Sequence, residues 1–336
     1  MNVILCFGEI LLRFSPDVYG NWLTNNNVNI FVGGAEANVA AALAKWQMPV
    51  QYCTALPENY LSEQMIEYLE QKKIDTSKII FYGNRIGSYY LPDDADLKHQ
   101  SVIYDRSNSA FAELEPGTID WNKILNGVDW FHFSAISPAL SENAAKICEE
   151  ALAAATEKKI TVSVDLNYRS KLWQYGKQTH EIMPRLVKYC DIVMGNVWSA
   201  AKMLNIPIDE NLKEKNKKEF YIQQSEQTAS YILKNYPRCK TVAHTFRFEE
   251  EKELNYYATL FTENKLYVSK EYSSTKIIDK VGSGDCFMAG LIYGFSHNLA
   301  KQDILEFATA AAFEKLFVRG DFTNKTVAEI KAAIKK

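Results

Sequence analysis

The stretch Lys280–Gly290, KVGSGDCFMAG, decides the reading of this chain. Three residues with almost no side chain, Gly282, Ser283 and Gly284, precede one acid, Asp285. An apolar, helix-like run from Cys286 to Phe295 follows. Glycine permits positive φ and lets a ligand approach the backbone closely. Successive bare N–H groups form a nest for an anion, and a helix N-terminus adds partial positive charge. Such a loop suits a phosphoryl group in transfer. A carboxylate beside that anion is repelled unless it has a task. The natural task is to accept the proton of an attacking hydroxyl. The competing reading is structural: an Asp that caps the helix after a glycine turn.

A second loop bears on the choice. FVGGAEANVAAALAKW, Phe31–Trp46, sets Gly33 and Gly34 before an alanine-rich helix. Small residues allow close helix–sheet packing, and paired glycines let a ligand touch main chain. Asn38 lies near the helix start, where its amide reaches a sugar hydroxyl. The competing reading is a tightly packed helix and nothing more.

After Val50 the chain alternates between β-like runs and amphipathic stretches. ITVSVDL (160–166), CDIVMGN (190–196) and KTVAHTF (240–246) read as strands, and 142–159 and 225–236 as helices. This rhythm predicts an α/β fold, a mainly parallel sheet with helices on both faces. Ligands in such sheets bind beyond the carboxyl ends of the strands. Residues 11–32 and 84–107 break the rhythm and read as hairpin-type β structure, the latter around the polar turn PDDADLK. They form a small β layer on a core of residues 1–10, 33–83 and 108–336. A late β ribbon is expected at 256–261 and 265–272, an exposed helix or loop at 208–224, and a surface helix at TVAEIKAAIKK.

Bulk properties narrow the classes. The 336 residues are 47% hydrophobic and 24% charged, ordinary for a soluble globular protein, with formal net charge −3. No long basic run is present, so nucleic acid is not an expected partner. The start, MNVILCFGEILLRF, is interrupted by Glu9 and reads as a first strand rather than a signal peptide. No apolar run reaches the roughly 18 residues of a membrane span. Six cysteines without CxxC spacing read as reduced core residues of a cytoplasmic protein, and five histidines show no HxxxH pair.

Together, GGAEANVA and DKVGSGD resemble the two signatures of the PfkB sugar kinases, which have the ribokinase-like fold. The resemblance covers nearly the whole chain. It implies ATP carrying Mg²⁺ as the phosphoryl donor and a β lid over the sugar. No GxxxxGK[ST] and no early GxGxxG are present. Within the family, GSYYLP, SVIYDRSNSAF and DLNYRSKLW look like motifs of 2-keto-3-deoxygluconate kinases. The resemblance makes Tyr89, Tyr104, Arg106 and Arg169 the contacts to a sugar acid, and leaves Tyr90 as packing. An arginine fork suits a carboxylate on independent grounds. The likeness also places Asn196, Thr245 and Arg247 on the nucleotide side, the latter two after the strand KTVAHTF. It has Asp321, in RGDF, close the sugar-acid site, against the alternative of a simple turn.

Two departures stand out. Many PfkB kinases carry N-x-x-E at the strand ending in Asn196, with the Glu serving Mg²⁺ through water; here the fourth residue is Ser199. Metal handling then rests on phosphates and water or on another carboxylate. The Asp that ribokinases and fructokinases commonly hold soon after their first strand is missing from GEILLRFSP, which has Arg13. The reading is thus a 2-keto-3-deoxygluconate kinase with Asp285 as base. Its rivals are a fructose or ribose kinase and a non-catalytic sugar-acid sensor. Exposed lid edges favour a homo-oligomer paired through the lid. A monovalent cation near the anion loop is left open.

Overall fold

A computed structural model describes residues 2–16, 22–23, 27–92, 102–215, 217–250 and 253–335. Most of the polar turn 92–98 and part of the Asn cluster at 25–27 lie outside them. The β-like runs assemble into a nine-stranded main sheet. Five parallel pairings join Val50–Cys53, Ile4–Phe7, Trp130–Ser134, Thr161–Asp165, Ile192–Gly195 and Thr241–Glu250 in spatial order. The antiparallel strands Glu253–Thr262 and Lys265–Val268 extend one side, with Tyr272–Ser274 also on Glu253–Thr262.

The first strand shows why helices cover both faces. Alternate side chains point to opposite sides of a strand. Ile4 and Cys6 enter one core, with the helices Ala35–Lys45, Ser283–Ser296 and Lys301–Lys315. Leu5 and Phe7 enter the other, with Glu142–Glu157 and Thr179–Val187. All four are fully buried, as a doubly covered parallel sheet requires.

The two irregular segments meet in a separate four-stranded sheet. Leu11–Ser15 pairs antiparallel with Asn29–Gly33, and Gly87–Tyr90 with Ile103–Asp105. A parallel pairing of Leu11–Ser15 with Gly87–Tyr90 joins the halves. Tyr90 stacks on Phe14 at 5.4 Å, the packing role expected of it.

Three boundaries differ from expectation. The helix expected at 225 begins at Lys218, so seven of the 17 residues at 208–224 belong to it. The late ribbon is longer and begins earlier, at Glu253. Thr245 and Arg247 do not follow their strand but lie within it. Pairing with Glu253–Thr262 persists from Thr241↔Thr262 to Glu250↔Glu253, and carries the β-favouring stretch HTFRF beyond the last parallel pair, Gly195↔His244.

Candidate active site

One cleft at the carboxyl ends of the parallel strands, roofed by the small sheet, is lined by every site residue expected from the sequence. Its floor is the glycine loop Gly282–Gly284, the anion loop expected from the sequence. Gly282 is left-handed, with φ 79°, and caps the helix Ser283–Ser296. A Cβ there would lie 2.4 Å from the Asp321 carbonyl oxygen, so both conformation and space demand glycine. Ser283 turns its hydroxyl away to the Ala312 carbonyl at 2.9 Å, so it offers the loop its backbone alone. Gly284 has open space where a side chain would be.

Asp285 is not the cap; it sits in the first turn, 8% exposed. Its Oδ2 accepts a hydrogen bond from Asn38 Nδ2 at 2.6 Å. Burial pushes its carboxyl up to about 7; the Asn38 bond opposes this, Glu36 adds to it, and Arg169 opposes it. The Asn38 Oδ1 atom is buried without a hydrogen-bond partner among the described residues. An unpaired buried acceptor is costly, so this oxygen is set to receive a donor such as a hydroxyl. Gly34, with φ 137°, caps the Asn38 helix, and a Cβ on it would meet the Glu9 carbonyl at 2.4 Å.

Two acids here were missed in the sequence. Asp165 ends its strand inside the quoted motif DLNYRSKLW, lines the cleft and is 6% exposed. Burial first, then the Asp285 charge, holds its carboxyl well above the usual range; Arg169 opposes. The rule that ligands bind beyond strand ends already pointed to it. Glu36, in GGAEANVA, accepts from Ser134 N at 2.8 Å and the Ser137 hydroxyl at 3.1 Å. It ties the Asn38 helix to the end of the Trp130–Ser134 strand, and its burial raises its carboxyl.

From the small sheet, Tyr89 and Tyr104 face each other across paired strands, ring centres 6.2 Å apart. The Tyr89 hydroxyl donates to Asp321 Oδ1 at 3.0 Å, so its polar end is already engaged. Arg106 lines the cleft with Nε held by Glu9 Oε2 at 2.5 Å. The other Glu9 oxygen accepts from the Ser109 hydroxyl. Glu9 entered the sequence reading only as a break in an apolar start; here it fixes one edge of an arginine fork.

Asp321 is no simple turn: it is 3% exposed and paired with Arg13. Arg13 NH2 binds Asp279 Oδ2 at 2.7 Å. Its Nε lies 2.8 Å from Asp321 Oδ2 without hydrogen-bond alignment, so that contact is Coulombic. Arg13 also stacks on Phe31, 4.3 Å from the ring centre. Arg13 is therefore sealed behind the cleft.

Across the cleft, Asn196 Oδ1 accepts from Ser199 N at 2.8 Å and caps the helix Val197–Leu204. Thr245, Arg247 and Ser199 line this side, with Lys280. Among the described residues, no group of three or more His, Cys, Asp or Glu is placed to hold a metal ion. None of the helices there is long and apolar enough to cross a membrane.

A 2-dehydro-3-deoxygluconokinase from Thermotoga maritima superposes with a TM-score of 0.90 at 34% identity, covering 100% of both chains. A 2-dehydro-3-deoxygalactonokinase from Haloferax volcanii is 24% identical over 99% of this chain and 96% of its own. A Vibrio cholerae fructokinase, solved with fructose, ADP and a potassium ion, shares the fold: TM-score 0.73 at 19% identity, over 99% of this chain and 98% of its own. The pfkB family carbohydrate kinase description matches residues 1–245 and 256–325, a span that includes both glycine loops and Asp285. With its ribokinase-like sheet, anion loop and buried acid, the chain belongs to the pfkB family of ATP-using carbohydrate kinases.

Proposed function

We propose that the chain phosphorylates the terminal 6-hydroxyl of 2-keto-3-deoxygluconate, giving 2-keto-3-deoxy-6-phosphogluconate and ADP. The observation that carries the choice of an acid is Arg106, 6% exposed, lining the same cleft as Asp285 with its Nε fixed by Glu9. A buried, oriented guanidinium suits a carboxylate, and Arg169 adds a second positive charge to the cleft wall. The acceptor hydroxyl oxygen attacks the γ-phosphorus of ATP. The bond from that phosphorus to the ADP oxygen breaks, and the hydroxyl proton passes to Asp285. The Gly282–Gly284 backbone receives the charge of the transferring group, and Asn38 Oδ1 and Gly34 address the sugar. Tyr104, the Tyr89 ring and Asp321 close the sugar side, while Asn196, Thr245 and Arg247 line the nucleotide side.

Bound Mg²⁺ would neutralise the β- and γ-phosphates. Asp165 fits it through water, since a buried carboxylate raised by burial and by the Asp285 charge calls for a cation and Ser199 supplies no charge. Exclusion of water under the small sheet limits idle ATP hydrolysis. Ile30 and Ile103, 60% and 62% exposed on its two edge strands, support pairing of two such sheets in a homo-oligomer. Six free, buried cysteines fit a reducing, cytoplasmic setting.

A coupled ATP assay decides the substrate. Keto-deoxy gluconate and galactonate should exceed fructose and ribose in kcat/KM by at least about tenfold, the value of one charged contact. Faster neutral ketoses would overturn the substrate; ligand binding without turnover of any sugar would make the chain a sensor.

A further inference from the structure

Lys315 ends the helix Lys301–Lys315 and is wholly buried, with 0% exposure. Its ammonium donates to two backbone carbonyls, Val318 O at 3.0 Å and Gly320 O at 2.8 Å. The turn that carries these carbonyls is bound to the approach of the anion loop. Ile278 N and Asp279 N both donate to Leu316 O, at 2.9 and 3.1 Å. Gly320 N donates to Asp279 Oδ2 at 3.0 Å, and Asp279 Oδ1 accepts from Val281 N at 3.0 Å. A Cβ on Gly282 would lie 3.3 Å from Lys315 Cε. The lysine stem therefore runs directly beneath the residue that opens the anion loop.

Charge accounts for a cation at that place. Arg13, Lys315, Asp279 and Asp321 form a buried cluster with two charges of each sign. Without Lys315 the cluster would be anionic, immediately behind the site of an arriving phosphoryl group. An uncompensated buried charge is strongly unfavourable. Two convergent carbonyls near a carboxylate are also the donor set of a dehydrated monovalent cation, and an ammonium has that charge and similar oxygen demands. The helix C-terminus adds a favourable dipole. Burial lowers the lysine's affinity for its proton, while Asp279 and Asp321 oppose this.

We propose that Lys315 is a built-in monovalent cation for the anion loop, occupying the place a potassium ion would otherwise take and freeing the kinase from a potassium requirement. The inference rests on the reading that Gly282–Gly284 receives the transferring phosphoryl group. Its test is arranged so that a wrong substrate does not obscure it. Melting of the free protein is measured in potassium chloride and in tetramethylammonium chloride at matched ionic strength, since only a specifically bound ion shifts Tm by linkage. The wild type should melt alike in both, and turn over the best sugar found with less than about twofold difference. Lys315→Ala should melt lower in tetramethylammonium and recover in potassium or methylammonium. A wild type activated or stabilised specifically by potassium overturns the proposal. So does a Lys315→Ala deficit that potassium restores no better than tetramethylammonium. Should Lys315→Ala not fold, Lys315→Met keeps the stem volume, and the wild-type comparison alone can still sink the idea.

Discussion

The Asn38 amide donates to the Asp285 carboxylate across 2.6 Å, joining residues 247 positions apart. A hydrogen bond to the charged form holds a carboxyl down. Asp285 stands at about 7 with this bond in place. For the wild type, kcat/KM should rise with pH through a midpoint near 7 and level off above it, where the proposed base is fully ionised. Asn38→Leu should move that limb to higher pH and lower the plateau. An unmoved limb in the variant would separate Asn38 from the base.

Replacing Asp285 by Asn should lower kcat by at least about 10²-fold, the usual share of a general base. Stability should move the other way. The folded carboxyl binds its proton up to about 7, above its unfolded value near 4. Between those values the native state holds more protons, so stability falls as pH rises. Asp285→Asn should therefore raise Tm by a few degrees at about pH 8, with the gain vanishing near pH 4. Paired melting curves at the two pH values check this.

Glu9→Gln keeps the shape beside Arg106 and removes the charge that fixes it. KM for the sugar acid should rise roughly tenfold with a smaller change in kcat, because a charged bond contributes about 1.5–3 kcal/mol. Neutral sugars should not respond. Arg106→Lys should show the same selectivity loss, since an ammonium lacks the fork. Equal losses on acids and neutral sugars would mean that Glu9 only supports the fold.

Gly282→Ala places a Cβ 2.4 Å from Asp321 O in a left-handed residue. The strain alone is worth about 1–3 kcal/mol. Tm should fall by several degrees, and kcat should fall more than KM rises, because in the proposed mechanism the displaced backbone serves the transition state. Gly117→Ala, also at positive φ but with nothing within 4 Å, is the control. It should lower stability without touching kcat.

Arg13→Leu removes a cation from a pair that is 1% and 5% exposed and from Asp321 as well. Breaking a buried pair on one side costs about 3–5 kcal/mol. Chemical unfolding should show a loss of that size. A loss under about 1 kcal/mol would mean that the cluster rearranges, as an exposed pair can.

Residues with a local signal were legible. The glycine loops, Asp285 and Asn38 declare themselves by bare backbone before a helix, and the strands by β-branched runs. The hidden partners carry no such mark. Glu9 interrupts an apolar start, Arg13 sits among lid strands, and Lys315 ends an ordinary helix, where a lysine is normally solvated. Glu9 and Arg13 act through groups far away in the chain, as Arg13 does with Asp279, 266 positions on, and Lys315 serves a loop that begins 33 residues before it. Asp165 does carry a mark, since it ends a strand and opens DLNYRSKLW, where the arginine four residues later is the more evident anion ligand. Thr245 and Arg247 were misplaced because an antiparallel hairpin can outrun its sheet, which periodicity does not reveal.

The same long-range pairing governs the order in which the chain becomes an enzyme. The roof strands, the Asn38 helix and most of the parallel sheet precede residue 250, whereas Asp285, Lys315 and Asp321 arrive last. A nascent chain emerging from a ribosome thus exposes Arg13 and Asn38 before their partners exist. The cleft gains Asp285, the proposed base, and its closed charge cluster in the final steps of synthesis, so a product truncated before residue 285 lacks the carboxylate on which the proposed phosphate transfer depends.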